Sequence, residues 1–171
     1  YPRPIDNRAR PRGNPEPVLI FAFRGPIMPL LKTTKDSIDI GIVVKDLSVA
    51  EKFYGDVLGF PVVREVDISA DVARQAGCAS GPFRFKAFQA GEVQLKIIQA
   101  ESDPPAGTGK VDAATGVRFL TFSVESVEEA YDAVKAAGAA MQGEISEVVP
   151  GRFIFFFSDP DGNLLECVGP K

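Results

Sequence analysis

The stretch SIDIGIVVKDLSVAEKFYGDVLG, residues 37–59, changes its periodicity half-way along, and that change decides the fold. Ile38 to Val44 is a β-branched run of the kind that fills strands. Asp46 then stands as a helix N-cap. Leu47, Ala50, Phe53, Tyr54, Val57 and Leu58 follow at helical spacing until Gly59 supplies a C-terminal stop. The same order returns in FLTFSVESVEEAYDAVKAAG, residues 119–138. There Phe119 to Val124 reads as the strand and Ser126 as the N-cap. Val127, Ala130, Tyr131, Val134 and Ala137 form the buried stripe, and Gly138 closes the helix. Setting Asp46 over Ser126 aligns Val44 with Val124, Leu47 with Val127 and Ala50 with Ala130, an internal repeat of about eighty residues.

Working outward, each predicted helix is followed by strand-like segments. They are Val62 to Val66, Phe83 to Phe88 and Val93 to Ile98 in the first half, then a shorter group ending in Phe153 to Phe157 and Leu164 to Val168. Each half therefore reads β-α-β-β-β, and the fold class is α+β. Asp159-Pro160-Asp161-Gly162-Asn163 is a turn, because proline presets one φ and glycine accepts positive φ between two apolar runs. The polar, Pro- and Gly-rich stretch Glu101 to Thr115 is the linker, which sets the modules at residues 37–100 and 116–169. Residues 1–36 hold Pro2, Pro4, Pro11, Pro15, Pro17, Pro26 and Pro29 among Arg3, Arg8, Arg10, Arg12 and Arg24. Such a segment is expected to be an irregular basic arm.

Among 171 residues, 19 basic and 23 acidic side chains leave a net charge of −4, which argues against general attraction to nucleic acid or anionic lipid. Small-molecule or protein partners are expected instead. The longest apolar stretch, Val18 to Leu31, is broken by Arg24, Pro26 and Pro29, so no membrane span is predicted. A soluble protein follows, and its start at Tyr1 is consistent with processing from an exported or organelle-targeted precursor. Cys78 and Cys167 are compatible with two thiols or one bridge, which leaves the compartment open. Histidine is absent altogether. Chemistry that leans on imidazole, as metal ligand or as a base near neutrality, must therefore be done by other groups.

Residues 40–47, IGIVVKDL, with Phe53-Tyr54 and Val57-Leu58-Gly59-Phe60, resemble the opening of a glyoxalase, bleomycin-resistance or dioxygenase-type module of the vicinal oxygen chelate superfamily. SDPDGNLLE, residues 158–166, is similar to that superfamily's closing hairpin. The resemblance implies paired modules curled into a cupped mixed sheet, a homodimer, and a divalent ion held by His or Glu from four inward-facing strand positions. Carried over, those positions are Asp39, Lys96, Phe119 and Glu166. An ammonium has no lone pair for a metal, and of the expected ligands Glu166 alone is retained. No cofactor is therefore expected, and a divalent metal, if bound, would have Asp39 and Glu166. Lys96 is expected to take the place of the ion between those two carboxylates. Losing the cation from such a buried triad would cost about 3–5 kcal/mol.

Asp39, Lys96 and Glu166 are thus the candidate catalytic or binding group, with carboxylate as base and ammonium as electrostatic stabiliser. Phe119, Gln94, Thr121, Arg84 and Phe155 are the candidate ligand-binding residues, suited to a small hydrophobic or aromatic molecule. Arg84 and Lys86, alternating with Phe83 and Phe85, are placed to meet an acidic ligand group or solvent. Three functions stay open: a metal-independent binding protein, a glyoxalase-like lyase, isomerase or dioxygenase relative, and an assembly subunit that grips its partner through the arm.

Overall fold

A computed structural model describes residues 33–171, so nearly all of the predicted arm at 1–36 lies outside the described residues. Lys35–Lys171 forms one compact unit. It opens with strand β1 (Ile40–Val44) and helix α1 (Leu47–Glu51), whose first N–H groups at Ser48 and Val49 are capped by the Asp46 carboxylate at 2.8 and 3.3 Å. The helix continues through Lys52–Val57 with π-helical turns, in which Leu58 N–H reaches Phe53 O at 3.0 Å. The wider turn lets the consecutive Phe53 and Tyr54 both enter the core. Gly59, at φ +74°, ends the helix.

Strands β2 (Val62–Ile68), β3 (Phe83–Ala90) and β4 (Val93–Ala100) complete a four-stranded sheet ordered β1-β4-β3-β2. The second half holds β5 (Phe119–Ser123), then β6 (Ala140–Met141), β7 (Ser146–Val149), β8 (Arg152–Ser158) and β9 (Leu164–Gly169). Its sheet runs β5-β9-β8-β6, with β7 also pairing β8. In both halves the first strand pairs parallel with the last, Ile40 facing Leu95 and Phe119 facing Leu164. The repeat seen in the sequence is therefore a repeat of pairing, and the α+β class is observed as two mixed sheets.

Two elements depart from the reading. Helix α2 (Ala70–Ala76) was not anticipated, because Ala73 is its one buried residue and it shows no apolar stripe. Ser69 caps it and Gly77, at φ +70°, stops it. In the second module the strand after the helix is divided into the short β6 and β7, which pair separate ends of β8.

Helix α3 (Val127–Ala136) supplies Val127, Tyr131 and Val134 to the core. The helix-facing sides of both sheets merge there: Phe88, Leu95 and Ile97 from one, Phe155, Phe157 and Leu165 from the other. Each large side chain so buried stabilises by about 1.5–3 kcal/mol. Tyr131 meets Phe155 edge-on at 5.2 Å, and Phe53 reaches Phe157 across the module boundary at 6.5 Å. Polar bonds cross it as well. Tyr54 donates its hydroxyl hydrogen to buried Asp159 at 2.8 Å, and the Asn163 side-chain amide donates to Val43 O at 3.4 Å.

The predicted turn at 159–163 is organised by that same aspartate, which accepts from the N–H groups of Asp161 and Asn163 at 3.0 and 2.8 Å. The inter-module segment docks on it, Gly107 N–H donating to Asp161 O at 2.7 Å. Among the described residues no helix is long and apolar enough to cross a membrane.

Candidate functional site

Side-chain alternation assigns each residue to a face. On β1 and β4, Ile42, Val44, Leu95 and Ile97 are buried against the helices. Gly41, Val43, Gln94, Lys96 and Ile98 therefore point away from α1. Through the β3 register the same outer face takes Phe85, Ala87 and Gln89, and through β2 it takes Arg64 and Val66. On the second sheet the face turned away from α3 carries Phe119, Thr121, Phe156 and Glu166.

Asp39, just ahead of β1, receives Lys96 Nζ on one carboxylate oxygen at 3.2 Å and Lys35 Nζ on the other. The Lys35 ammonium first, with Lys96 beside it, holds the Asp39 carboxyl below its ordinary value. The pair is half-buried, Lys96 and Asp39 keeping 33% and 21% side-chain exposure. Gln94 joins the same face, accepting from Arg64 at 3.3 Å and donating to Gln89 at 3.3 Å. Glu166 accepts instead from the Thr121 hydroxyl at 2.5 Å. Among the described residues no ion pair joins Lys96 to Glu166, so the expected triad is a pair, with the second carboxylate engaged elsewhere. Phe119 meets Phe156 edge-on at 5.5 Å on that second face.

The structure thus brings Asp39, Lys96 and Gln94 together, and separately Thr121, Glu166 and Phe119. It takes Arg84 and Phe155 to the other side of their sheets. Arg84 pairs in register with Gln99, whose side-chain amide oxygen, Oε1, accepts from Leu47 N–H at the start of α1 at 3.3 Å. It lines a separate polar cleft with Asp67, Ser69 and Glu101. Lys86, on the same side, is held by Glu51 at 2.7 Å and Glu65 at 3.7 Å. Phe155 is a core residue under Tyr131.

Arg64 is the residue that sequence reasoning missed. A bulge between Val62 and Arg64 breaks the alternation of β2, so spacing alone does not assign its face. Its guanidinium lies 6.0 Å from the Phe85 ring centroid, and Lys96 Nζ lies at the same distance. A cavity of about 690 Å³ runs along β5, where Phe119 and Thr121 are joined by Ile40, Leu95, Phe122 and Val134. Its walls are mostly apolar, a lining suited to a small hydrophobic molecule.

Residues 37–167 match the sequence profile of the Glyoxalase/Bleomycin resistance protein/Dioxygenase superfamily. The chain belongs to that superfamily. The chain is similar to the uncharacterized protein YwkD of Bacillus subtilis, 27% identical over 127 residues that cover 74% of this chain and 91% of YwkD. A glyoxalase family protein from Bacillus cereus shares the fold at a TM-score of 0.68 and 17% identity, over 84% of this chain and 99% of its own. The genomically encoded fosfomycin resistance protein FosX from Listeria monocytogenes does so at 0.57 and 18%, over 85% and 96%. These two likenesses concern the fold. Within the superfamily frame, Asp39, Lys96, Phe119 and Glu166 stand before or on the first and last strands of the two sheets.

Proposed function

We propose that this superfamily member binds a small, largely apolar molecule and does so without a divalent metal. The observation that carries the reading is the ion pair of Lys96 with Asp39 at 3.2 Å, on positions that the superfamily resemblance gives to metal ligands. The donor set fits a transition metal poorly. Lys96 and Phe119 offer no lone pair, Asp39 is held by two ammonium groups, and Glu166 is engaged by Thr121. Among the described residues no three His, Cys, Asp or Glu side chains gather as a metal would require. Support for a ligand comes from the apolar cavity of about 690 Å³ beside Phe119 and Thr121, a volume usual for small-molecule sites.

The test is elemental mass spectrometry on protein offered zinc, nickel, manganese and iron and then desalted. Far less than one metal per chain is expected. Near-stoichiometric metal that is lost in Glu166→Ala would overturn the reading. In parallel, a thermal-shift screen of small aromatic compounds is expected to raise the melting temperature. Loss of that rise on Phe119→Ala or Thr121→Ala would assign it to the cavity.

A further inference from the structure

The outer face of the first sheet is striped. Register places Gly41, Lys96, Ala87 and Arg64 in one row across β1, β4, β3 and β2. The next row is Val43, Ile98, Phe85 and Val66, all apolar. Rows two residues apart along a strand are separated by about 7 Å, and strands by about 4.8 Å. Arg64 and Lys96 therefore start about 10 Å apart with only the Ala87 methyl between them, and both lean over Phe85 at 6.0 Å.

Charge on this face is unbalanced. Lys35 and Lys96 share the one carboxylate of Asp39, and among the described residues no acidic side chain pairs with Arg64. Its sequence neighbour Glu65 points to the helix side, where Lys86 holds it. Arg64 is instead bonded to a neutral amide, Gln94, at 3.3 Å. A guanidinium without a carboxylate, an ammonium half-exposed beside it, and an apolar row one step away match the two ends of one ligand.

Resting on the metal-free part of the reading above, we infer that this outer face, apart from the cavity along β5, takes an arylalkanoate, its carboxylate seated between Arg64 and Lys96 and its ring on the Phe85, Ile98 and Val66 row. The separation of about 7 Å between rows favours an acid whose ring is set off by a short alkyl chain over one that carries the carboxylate directly. Arginine provides the planar fork for a carboxylate, and lysine adds a point charge. Desolvation of the ring against the apolar row supplies the rest.

The probes are 3-phenylpropionate, its neutral amide 3-phenylpropionamide, and inorganic phosphate, titrated calorimetrically into the full chain at low ionic strength. The acid is expected to bind about tenfold or more tightly than the amide, consistent with a charge-assisted hydrogen bond. Arg64→Gln and Lys96→Gln are each expected to weaken the acid by a similar factor and to leave the amide unchanged. Arg64 is exposed, so Arg64→Gln should keep the wild-type melting temperature and circular dichroism. Raising salt should weaken the acid alone.

Equal affinity for acid and amide would overturn the anionic ligand while leaving binding of an apolar molecule standing. Phosphate as tight as the acid would replace the arylalkanoate by a simple oxyanion. Silence from all three probes would overturn this inference. If stoichiometric metal then appeared in the mass-spectrometric test, the metal-free reading would fall with it.

Discussion

Tyr54→Phe tests how the two modules are held together. The Tyr54 side chain is fully buried, and its hydroxyl donates to Asp159 at 2.8 Å, itself only 3% exposed. Burial first, and the Asp159 carboxylate next, push the phenol well above its ordinary value, so it is a donor throughout the neutral range. Removing the oxygen leaves the ring in place against Phe53 and Phe88, so no large cavity opens. Asp159 keeps the Asn163 side-chain amide at 2.8 Å on one oxygen and the N–H groups of Asp161 and Asn163 on the other. What is lost is one hydrogen bond to a charged group, about 1.5–3 kcal/mol. For a chain of 171 residues, with each kcal/mol moving Tm by about 2–4 °C, the melting temperature should fall by about 3–12 °C. Differential scanning calorimetry reads this, and urea titration should show a lower midpoint at an unchanged slope. Tyr131→Phe is the control, since its hydroxyl donates to Glu144, an exposed carboxylate, at 2.8 Å. Its loss should be the smaller. If Tyr54→Phe melted within about 1 °C of wild type, the bond would contribute nothing and the account of the module junction would fail.

Lys96→Met should melt close to wild type, because its partner Asp39 is half-exposed and keeps Lys35; a large loss would restore the buried triad expected from sequence. The Asp39 carboxyl should titrate below its ordinary value by NMR and move upward in Lys96→Met. The sign follows from linkage: a depressed folded value gives stability that is present above the unfolded value and lost as pH falls through the folded one. Gly107→Ala should destabilise the chain in thermal melts, since a Cβ there would stand 2.5 Å from Gly162 O. Cys167 is buried and its thiol is pushed up to about 11, by burial first and then by Glu166. Iodoacetamide near pH 8 should therefore label Cys78 in the native protein and Cys167 only on unfolding, as peptide mass spectrometry would report.

What could be read in the sequence was whatever repeats at a period. The strand, cap and helix order of 37–59 and 119–138 survives because Asp46 and Ser126 each cap a helix whose apolar stripe meets the core. Facing was harder to read. Residues 153–157 are apolar at every position, so alternation cannot say which phenylalanine is core, and Tyr131 decides it by packing on Phe155. Residues 83–86 do alternate, yet here the charged members face the helix side. Glu51 of α1 and Glu65 of β2 wait there for Lys86, a tertiary pairing that no local pattern encodes. The contrary position of Arg64 depends on a bulge, which adds one residue to the count without a signature in the side chains.

The duplication also explains why the two candidate clusters differ. The offset that sets Asp46 over Ser126 sets Gly41 over Thr121 and Asp39 over Phe119. In register, Thr121 faces Glu166 and Gly41 faces Lys96, so these are equivalent seats in the two halves. In the second half the β5 seat holds a hydroxyl, which donates to Glu166 across the pair at 2.5 Å. In the first half the seat is glycine, and a Cβ there would come within 3.1 Å of Ile98 Cδ1. With no side chain directly opposite, the Lys96 ammonium reaches instead to Asp39, two positions back along the chain. The seat that pairs with Asp39 by duplication is Phe119, which offers no charge and packs on Phe156. One sheet therefore presents a cationic face and the other an aromatic face with its carboxylate already engaged. Gly41→Thr would test this directly: a hydroxyl restored opposite Lys96, if Ile98 yields the space, should loosen Lys96 from Asp39 and raise the Asp39 titration midpoint.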